Sequence, residues 1–196
     1  MKQEALQHIE YWTRLPSPLG TLTLVASEAG LAGLWMEGQK NHPRDLPGAE
    51  APELPLFAET ARWLALYFSG QKPDFLPPLA PEGTPFQQAV WALLREIPYG
   101  QTVSYGELAR RLALRNPSGR VSARAVGGAV GRNPVSILIP CHRVIGADGR
   151  LTGYDGGLDR KRQLLTLEAS FFDLGFRYAD TPLRLLRRAA TCALYG

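Results

Sequence analysis

A cysteine and a histidine stand side by side in the run Ile139-Pro140-Cys141-His142-Arg143. A thiolate is a good nucleophile, but an ordinary thiol, with a pKa of about 8.5, is only slightly ionised near neutral pH. A neighbouring imidazole can accept the thiol proton, directly or through a water molecule. The pair therefore predicts a nucleophilic Cys141 activated by His142. The same pair is also typical of a buried, inert cysteine beside a surface histidine, and by itself it leaves both interpretations open.

Glu168 is the candidate carboxylate for orienting His142 and stabilising its cation. It ends a segment, 158–168, whose leucines indicate a final helix after the Gly156-Gly157 turn. We expect this helix to fold back on the cysteine loop. The sequence contains no CxxC pair and no His/Cys cluster with zinc-ligand spacing, so neither a metal ion nor another cofactor is expected.

The elements that must position these residues differ between the two halves of the chain. The first half has the alternation and β-branched residues of strands, followed by one helical apolar pattern. A loop is expected over 38–54, and prolines at 73, 77, 78 and 81 indicate a stiff, extended linker over 73–83. The predicted strands are 11–15, 21–26 and 31–37, and the predicted helix is 55–69.

The second half predicts helices. Thr84-Pro85-Phe86-Gln87 has the N-cap, first-turn proline and capping-box glutamine of a helix start, and that helix is expected to reach Glu96. Ser104 and Ser122 are the predicted N-caps of two further helices, 104–112 and 123–131. Two short helices joined by a turn suggest a helix-turn-helix, although any small helical domain contains helix pairs.

The apolar run 137–140 predicts a strand that delivers Cys141 to a turn. The tail, 169–196, contains a basic segment at 182–188 that is compatible with a short amphipathic helix or with disorder. Cys192 lies in this tail and is interpreted as structural or incidental.

Charge is distributed unevenly along the 196 residues. Residues 1–100 carry 7 basic and 11 acidic side chains, whereas residues 101–196 carry 15 basic and 7 acidic ones. All the basic residues of the second half except Lys161 are arginines, which suit contacts with phosphates and base edges. Charge alone is equally compatible with a solvated basic face and with a nucleic-acid-binding surface confined to the second half.

No apolar run approaches the roughly 20 residues that span a bilayer, and residues 1–10 do not have the pattern of a signal peptide. We therefore expect a cytoplasmic protein with reduced cysteines and no membrane partner. A monomer is expected.

Pro140-Cys141-His142-Arg143-Val144-Ile145 is similar to the active-site signature of the O6-alkylguanine-DNA alkyltransferases. The resemblance covers roughly residues 11–168 and is strongest from residue 84 onward. The other motifs that carry it are Ser17-Pro18-Leu19-Gly20, Phe86-Gln87-Gln88-Ala89-Val90-Trp91, Ile97-Pro98-Tyr99-Gly100, Val103-Ser104-Tyr105, Ala123-Arg124-Ala125-Val126-Gly127-Gly128, Asn133-Pro134, Leu151-Thr152-Gly153-Tyr154 and Gly156-Gly157.

This resemblance implies an α+β fold with a small N-terminal, β-rich, ribonuclease H-like α/β domain (1–80), followed by a helical domain with a helix-turn-helix (84–168). It implies that Cys141 accepts an alkyl group from O6-alkylguanine in duplex DNA, stoichiometrically and irreversibly. His142 would deprotonate the thiol through a water molecule, Glu168 would orient His142, and Asn133 would join the recognition helix to the active-site loop. O4-alkylthymine is left open as a second substrate.

The resemblance also implies that the protein is DNA-associated and how DNA is bound, with cooperative binding along DNA left open. The helix that begins after Ser122 would enter the minor groove, where small residues let its backbone approach closely. Arg124 would fill the gap left by a flipped nucleotide, and Tyr105 would help to rotate that nucleotide and to bond the leaving O6. The small residues are Ala123, Ala125, Gly127 and Gly128, and the base pocket would comprise Tyr105, Val144, Tyr154 and Asp155.

Asp155 departs from the family pattern, in which a small or hydroxyl residue is usual at this position. Its carboxylate would either disfavour an anionic leaving O6 or point to solvent. Arg115 and Arg120 are expected to add phosphate contacts. The alternative functions are an alkyltransferase-like protein that binds lesions without a nucleophile, which Cys141 disfavours, a transcriptional activator, for which zinc ligands are missing, and an unrelated Cys-His hydrolase.

Overall fold

The computed structural model describes residues 10–115 and 119–169, and its N-terminal part is a four-stranded sheet. The turn before Gly30, whose φ of +142° favours glycine, joins the two longest strands as an antiparallel hairpin. The strands are β1 (Tyr11–Leu15), β2 (Leu22–Ser27), β3 (Gly30–Met36) and β4 (Ala49–Glu50). Their order in this sheet is β3-β2-β1-β4, and within it only the β1–β4 pair is parallel.

Helix α1 (Pro55–Phe68) covers this sheet with a face that includes Phe57, Trp63 and Tyr67. The first three strands and this helix agree with the sequence predictions. Strand β4 lies inside the expected loop 38–54 and was missed, because two residues are too few to produce an alternating pattern.

The C-terminal part is helical. Thr84 forms the predicted capping box with Gln87 at the start of α2 (Pro85–Arg95). Two short parallel strands, β5 (Val103–Ser104) and β6 (Val144–Ile145), join the turn before α3 to the segment that follows Cys141. The remaining helices are α3 (Tyr105–Arg115), α4 (Ala123–Val130) and α5 (Leu158–Ala169).

The predicted strand over 137–140 is wrong. Residues 136–138 form a turn, and Ile137 has a φ of +71°, an unusual value for a β-branched residue. The run is apolar because Ile137, Leu138 and Ile139 are all buried in the hydrophobic core. A short 3₁₀ helix, Cys141–Arg143, follows it directly.

Backbone hydrogen bonds join the two parts along β3. Leu34 donates to Pro134 O (2.8 Å) and accepts from Ser136 N (2.9 Å), just upstream of Cys141. The proline-rich linker is also tied to β3, since Leu31 N donates to Pro78 O (2.8 Å) and Ala80 N to Leu31 O (2.9 Å). The sheet and the helical part therefore share one continuous core.

Among residues 10–115 and 119–169, no helix is both long and apolar enough to cross a membrane. The predicted turn around Asn116-Pro117-Ser118, the basic segment 182–188 and Cys192 lie outside the described residues.

Candidate active site

Cys141 begins the 3₁₀ helix and is buried, with only 6% of its surface exposed. Asn133 Nδ2 donates a hydrogen bond to its Sγ over 3.2 Å. Burial raises the pKa of the Cys141 thiol, and the Asn133 hydrogen bond and the charge of Lys161 offset only part of that rise. The thiol therefore needs a base that removes its proton during the reaction.

Asn133 follows the end of α4. Both the oxygen and the nitrogen of its side-chain amide form hydrogen bonds with the backbone around the buried turn. Its Oδ1 accepts from Val135 N (3.0 Å), and its Nδ2 donates to Ile139 O (2.8 Å) as well as to Cys141. This residue links the end of α4 to the cysteine, in the place that the sequence assigned to it.

His142 and Glu168 are both completely buried, and His142 Nε2 lies 2.7 Å from Glu168 Oε1. Burial lowers the pKa of His142 despite the opposing effect of Glu168, so the imidazole is neutral near pH 7. Its Nδ1 is buried and makes no hydrogen bond with any described residue. A neutral imidazole with Nε2–H bound to the carboxylate has Nδ1 free to accept a proton.

Glu168 is the centre of a larger network than the sequence indicated. Its carboxylate accepts hydrogen bonds from Tyr67 OH (2.8 Å), from Gly100 N (3.0 Å) and from two nitrogens of Arg143 (2.8 and 2.9 Å). Burial alone would raise the pKa of Glu168, but His142 and Arg143 outweigh it and hold that pKa well below its usual range. Because Arg143 is permanently charged, Glu168 stays ionised while His142 is neutral.

Arg143 and Tyr67 are functional candidates that sequence reasoning missed. Arg143 is buried, and its Nη1 also donates to Ile97 O (2.7 Å). Arg143 could have been found from the sequence, because it lies in an otherwise apolar run. A buried charge in such a run requires an oppositely charged or hydrogen-bonding partner. The sequence does not distinguish Tyr67 in this way, because a tyrosine on the apolar face of α1 has the pattern of an ordinary core residue.

Two residues of the expected base pocket, Tyr154 and Asp155, belong to the loop 151–157, which we call the pocket loop. Tyr105 OH donates to Thr152 O (3.3 Å) and Gly153 O (3.2 Å), and Tyr154 is a buried tyrosine of the same loop. Burial raises the pKa of Tyr105 and of Tyr154, and a negative charge on Cys141 would raise both further. Val144 is buried beside Cys141.

Lys161 is a third functional candidate that sequence reasoning missed. Its Nζ is buried and donates to Val144 O (2.5 Å), Thr152 O (2.6 Å) and Gly153 O (3.4 Å). Burial lowers the pKa of Lys161 to about 8. Since Tyr105 binds two of the same carbonyls, Lys161 and Tyr105 together hold the pocket loop in place. Lys161 could have been noticed in the sequence, because it is the one lysine among the arginines of the second half.

Helix α4 presents an outward face of small residues. Ser122 caps it by accepting from Ala125 N (3.1 Å), and Val126, Ala129 and Val130 are buried. Gly127 lies against the Tyr105 ring, where a Cβ would be 3.7 Å from the ring edge. The exposed residues of this face are Ser122, Ala123, Arg124, Ala125 and Gly128.

Two charged residues have partners that the sequence did not indicate. The carboxylate of Asp155 accepts a hydrogen bond from the backbone N–H of Asn41, in the N-terminal part (3.0 Å). Arg115 pairs through both terminal nitrogens with Glu96 (2.8 and 2.9 Å), and this ion pair competes with the phosphate contact expected of Arg115.

Within the described part of the chain, no three His, Cys, Asp or Glu residues are grouped to hold a metal ion.

Comparison with known proteins covers both halves of the chain. The family model described as 6-O-methylguanine DNA methyltransferase, ribonuclease-like domain, matches residues 10–81, and the one described as 6-O-methylguanine DNA methyltransferase, DNA binding domain, matches residues 85–170. A methylated-DNA--protein-cysteine methyltransferase of Methanosarcina acetivorans is 46% identical over 82% of this chain and 99% of its own length. One from Haemophilus influenzae is 46% identical over 81% of this chain and 86% of its own length.

A solved structure has the same fold. Mycobacterium tuberculosis OGT, crystallised in complex with DNA, is 44% identical and superposes with a TM-score of 0.70 over 82% of this chain and 94% of that one. The expected α+β class, with a ribonuclease-like part followed by a helical part, is confirmed. The chain belongs to the 6-O-methylguanine DNA methyltransferase family.

Proposed function

We propose that this protein repairs duplex DNA by moving the alkyl group of an O6-alkylguanine onto Cys141, once per molecule. The observation that carries the proposal is the arrangement of a buried thiol held by Asn133 beside a neutral His142 that is bound to Glu168. Relatives named methylated-DNA--protein-cysteine methyltransferases, and an OGT crystallised with DNA, support the reaction class and the partner.

The bond changes require only the protein and the lesion. The Cys141 Sγ–carbon bond forms as the bond between the alkyl carbon and O6 breaks, and the thiol proton passes to His142 Nδ1, directly or through a water molecule. O6 leaves as guanine takes up a proton, so that the product is unmodified guanine and an S-alkylcysteine. The thioether has no easy route back to a thiol, and the transfer is therefore irreversible.

Glu168 and Arg143 support the base rather than perform the chemistry. The Glu168 carboxylate fixes the tautomer of His142 and stabilises the imidazolium that forms when the thiol is deprotonated. Arg143 neutralises that carboxylate before the proton arrives, which keeps the buried cluster from carrying an unpaired charge. Proton transfer then changes the charge of a site whose hydrogen bonds are already in place.

Cys141 lies too deep to meet a base that remains stacked in a duplex. An in-line displacement needs the sulfur behind the alkyl carbon, so we infer that the damaged nucleotide is flipped out of the helix, at a cost of a few kcal/mol that weak pairing of the lesion reduces. The exposed small residues of α4 let it approach the minor groove closely, and Arg124, at its exposed N-terminal end, fills the gap. Tyr105 faces the flipped base and bonds the leaving oxygen.

Mass spectrometry of the cysteine peptides tests the reaction. Incubation with a duplex that contains one O6-methylguanine should add one methyl group per protein to the Cys141 peptide and should restore guanine in the DNA. Cys141→Ser should show no gain on that peptide, whereas Cys192→Ser, which removes the other cysteine, should react like the wild type. A parallel duplex with O4-methylthymine defines the substrate range.

The alternative, an alkyltransferase-like lesion-binding protein, gives a different result in the same experiment. Such a protein binds the O6-methylguanine duplex in preference to unmodified DNA, but neither its mass nor the lesion changes. That outcome would overturn the alkyl-transfer proposal.

A further inference from the structure

One loop of the N-terminal part, residues 37–42, reaches the rim of the active site, and we call it the clasp loop. Its base is anchored by Gln39, a buried residue whose Oε1 accepts hydrogen bonds from Met36 N (3.1 Å) and from Ser136 Oγ (3.1 Å). Ser136 belongs to the buried turn that precedes Cys141. The clasp loop is therefore fixed to the sheet at one side and to the cysteine turn at the other.

The tip of the clasp loop joins two elements that are distant in sequence. Asn41 Nδ2 donates to Gly131 O (2.8 Å), the residue that ends α4, and Asn41 N donates to Asp155 Oδ2 (3.0 Å) in the pocket loop. A single residue thus connects the end of the proposed recognition helix to the wall of the base pocket.

The pocket loop already packs closely on the N-terminal part next to this hydrogen bond. A Cβ on Gly156 would lie 2.7 Å from Met36 Cε, at the end of β3, so only glycine allows this approach without a shift of the methionine. The pocket loop therefore contacts the end of β3 at this point, next to the hydrogen bond from Asn41 to Asp155.

We infer that Asp155 is a positioning residue for alkyl transfer, an inference that rests on the function proposed above. Its carboxylate serves as the hydrogen-bond acceptor through which the clasp loop sets the pocket loop relative to α4. The Thr152 and Gly153 carbonyls of that loop bind Tyr105 and Lys161, so a shift of the loop moves the group that faces the leaving oxygen. In-line transfer is sensitive to such shifts, because reacting atoms must lie within a few tenths of an ångström of their productive positions.

The test separates two properties of the Asp155 side chain, its ability to accept a hydrogen bond and its negative charge. Asp155→Ala removes both, whereas Asp155→Asn keeps an oxygen that can accept from Asn41 N and removes only the charge. Asp159→Ala, which removes a carboxylate that is 90% exposed on α5, is the matched control. The readouts are the single-turnover rate of methyl transfer at saturating DNA, the Kd for DNA and the melting temperature.

We expect Asp155→Ala to lower the rate about fivefold, the effect of one exposed hydrogen bond, with an unchanged melting temperature. Asp155→Asn should stay within about twofold of the wild type, because one acceptor oxygen suffices for the bond from Asn41. Equal rates for Asp155→Ala and the wild type would overturn the inference, and so would an Asp155→Asn rate as low as that of Asp155→Ala, which would assign the effect to charge. Failure of the wild type and Asp159→Ala to gain a methyl group would instead overturn the proposed function.

Discussion

Glu168 and Arg124 lie in opposite environments, although the proposed reaction needs both. Glu168 is completely buried and accepts hydrogen bonds from groups on α1, on the 3₁₀ helix and on the turn at Gly100. Arg124 is exposed on α4 among small residues. The first region joins segments that are far apart in sequence, whereas the second is a contiguous stretch of one helix.

This difference in environment means that substitutions in the two regions affect the stability of the fold to different extents. Buried charges must be matched by partners that the fold supplies, so a change at Glu168 affects the folded state as well as the chemistry. The face of α4 supports little of the core, and its residues are available for a polyanionic partner without a cost to the fold. Substitutions in the two regions should therefore have different consequences for stability and for substrate range.

Glu168→Gln should have the largest effect. It leaves Arg143 buried beside a neutral amide, and we expect the free energy of unfolding at pH 7 to fall by about 3–5 kcal/mol, with alkyl transfer lost on duplex DNA and on a free O6-alkylguanine nucleoside alike. Urea denaturation and single-turnover assays measure these effects. Glu28→Gln, at an exposed turn, is the control and should change neither.

The same variant should change the response to acid. A carboxylate whose pKa is lowered by folding contributes stability above its unfolded value, about 4.3, and loses that contribution as the pH falls below it. The wild type should therefore lose stability below about pH 4.3 more steeply than Glu168→Gln does. Parallel slopes for the two proteins would contradict an ionised Glu168 in the folded state.

The two regions also differ in how far the sequence predicts them. The α4 face and its serine cap follow from consecutive residues, and the cysteine, the histidine and the asparagine lie where the motif suggests. Tyr67 approaches Glu168 only because α1 packs over the shared core, and no periodicity in α1 distinguishes a tyrosine that binds a carboxylate from one that only packs. The apolar run 137–140 was misread as a strand, because burial from all sides produces the same pattern in a turn.

Asp155 illustrates the same limit at the junction of the two regions. Its position next to Tyr154 suggested a contact with the base, but its observed partner, Asn41, is 114 residues away. Hydrogen bonds of this kind depend on how two parts of the fold meet, and local sequence patterns carry no information about that arrangement.

Arg124→Ala should separate binding from chemistry. We expect the free energy of unfolding to change by less than about 0.5 kcal/mol, since the residue is exposed. Transfer from a duplex should fall at least about tenfold, because the gap left by the flipped base is no longer filled, while transfer from a free O6-alkylguanine nucleoside should keep the wild-type rate. Arg150→Ala, at another exposed arginine, is the control. Equal losses on both substrates would place Arg124 in the chemical step instead.

The smallest expected effect is a shift of the acid limb of the reaction. His142 acts as a base only when it is neutral, so the single-turnover rate at saturating DNA should decline as the pH falls through the pKa of His142. Burial lowers that pKa below the ordinary value of about 6.5. The rate should therefore decline only below the ordinary imidazole value of about 6.5. A decline centred at or above pH 6.5 would contradict this prediction. It would show that Glu168 raises the pKa of His142 by more than burial lowers it.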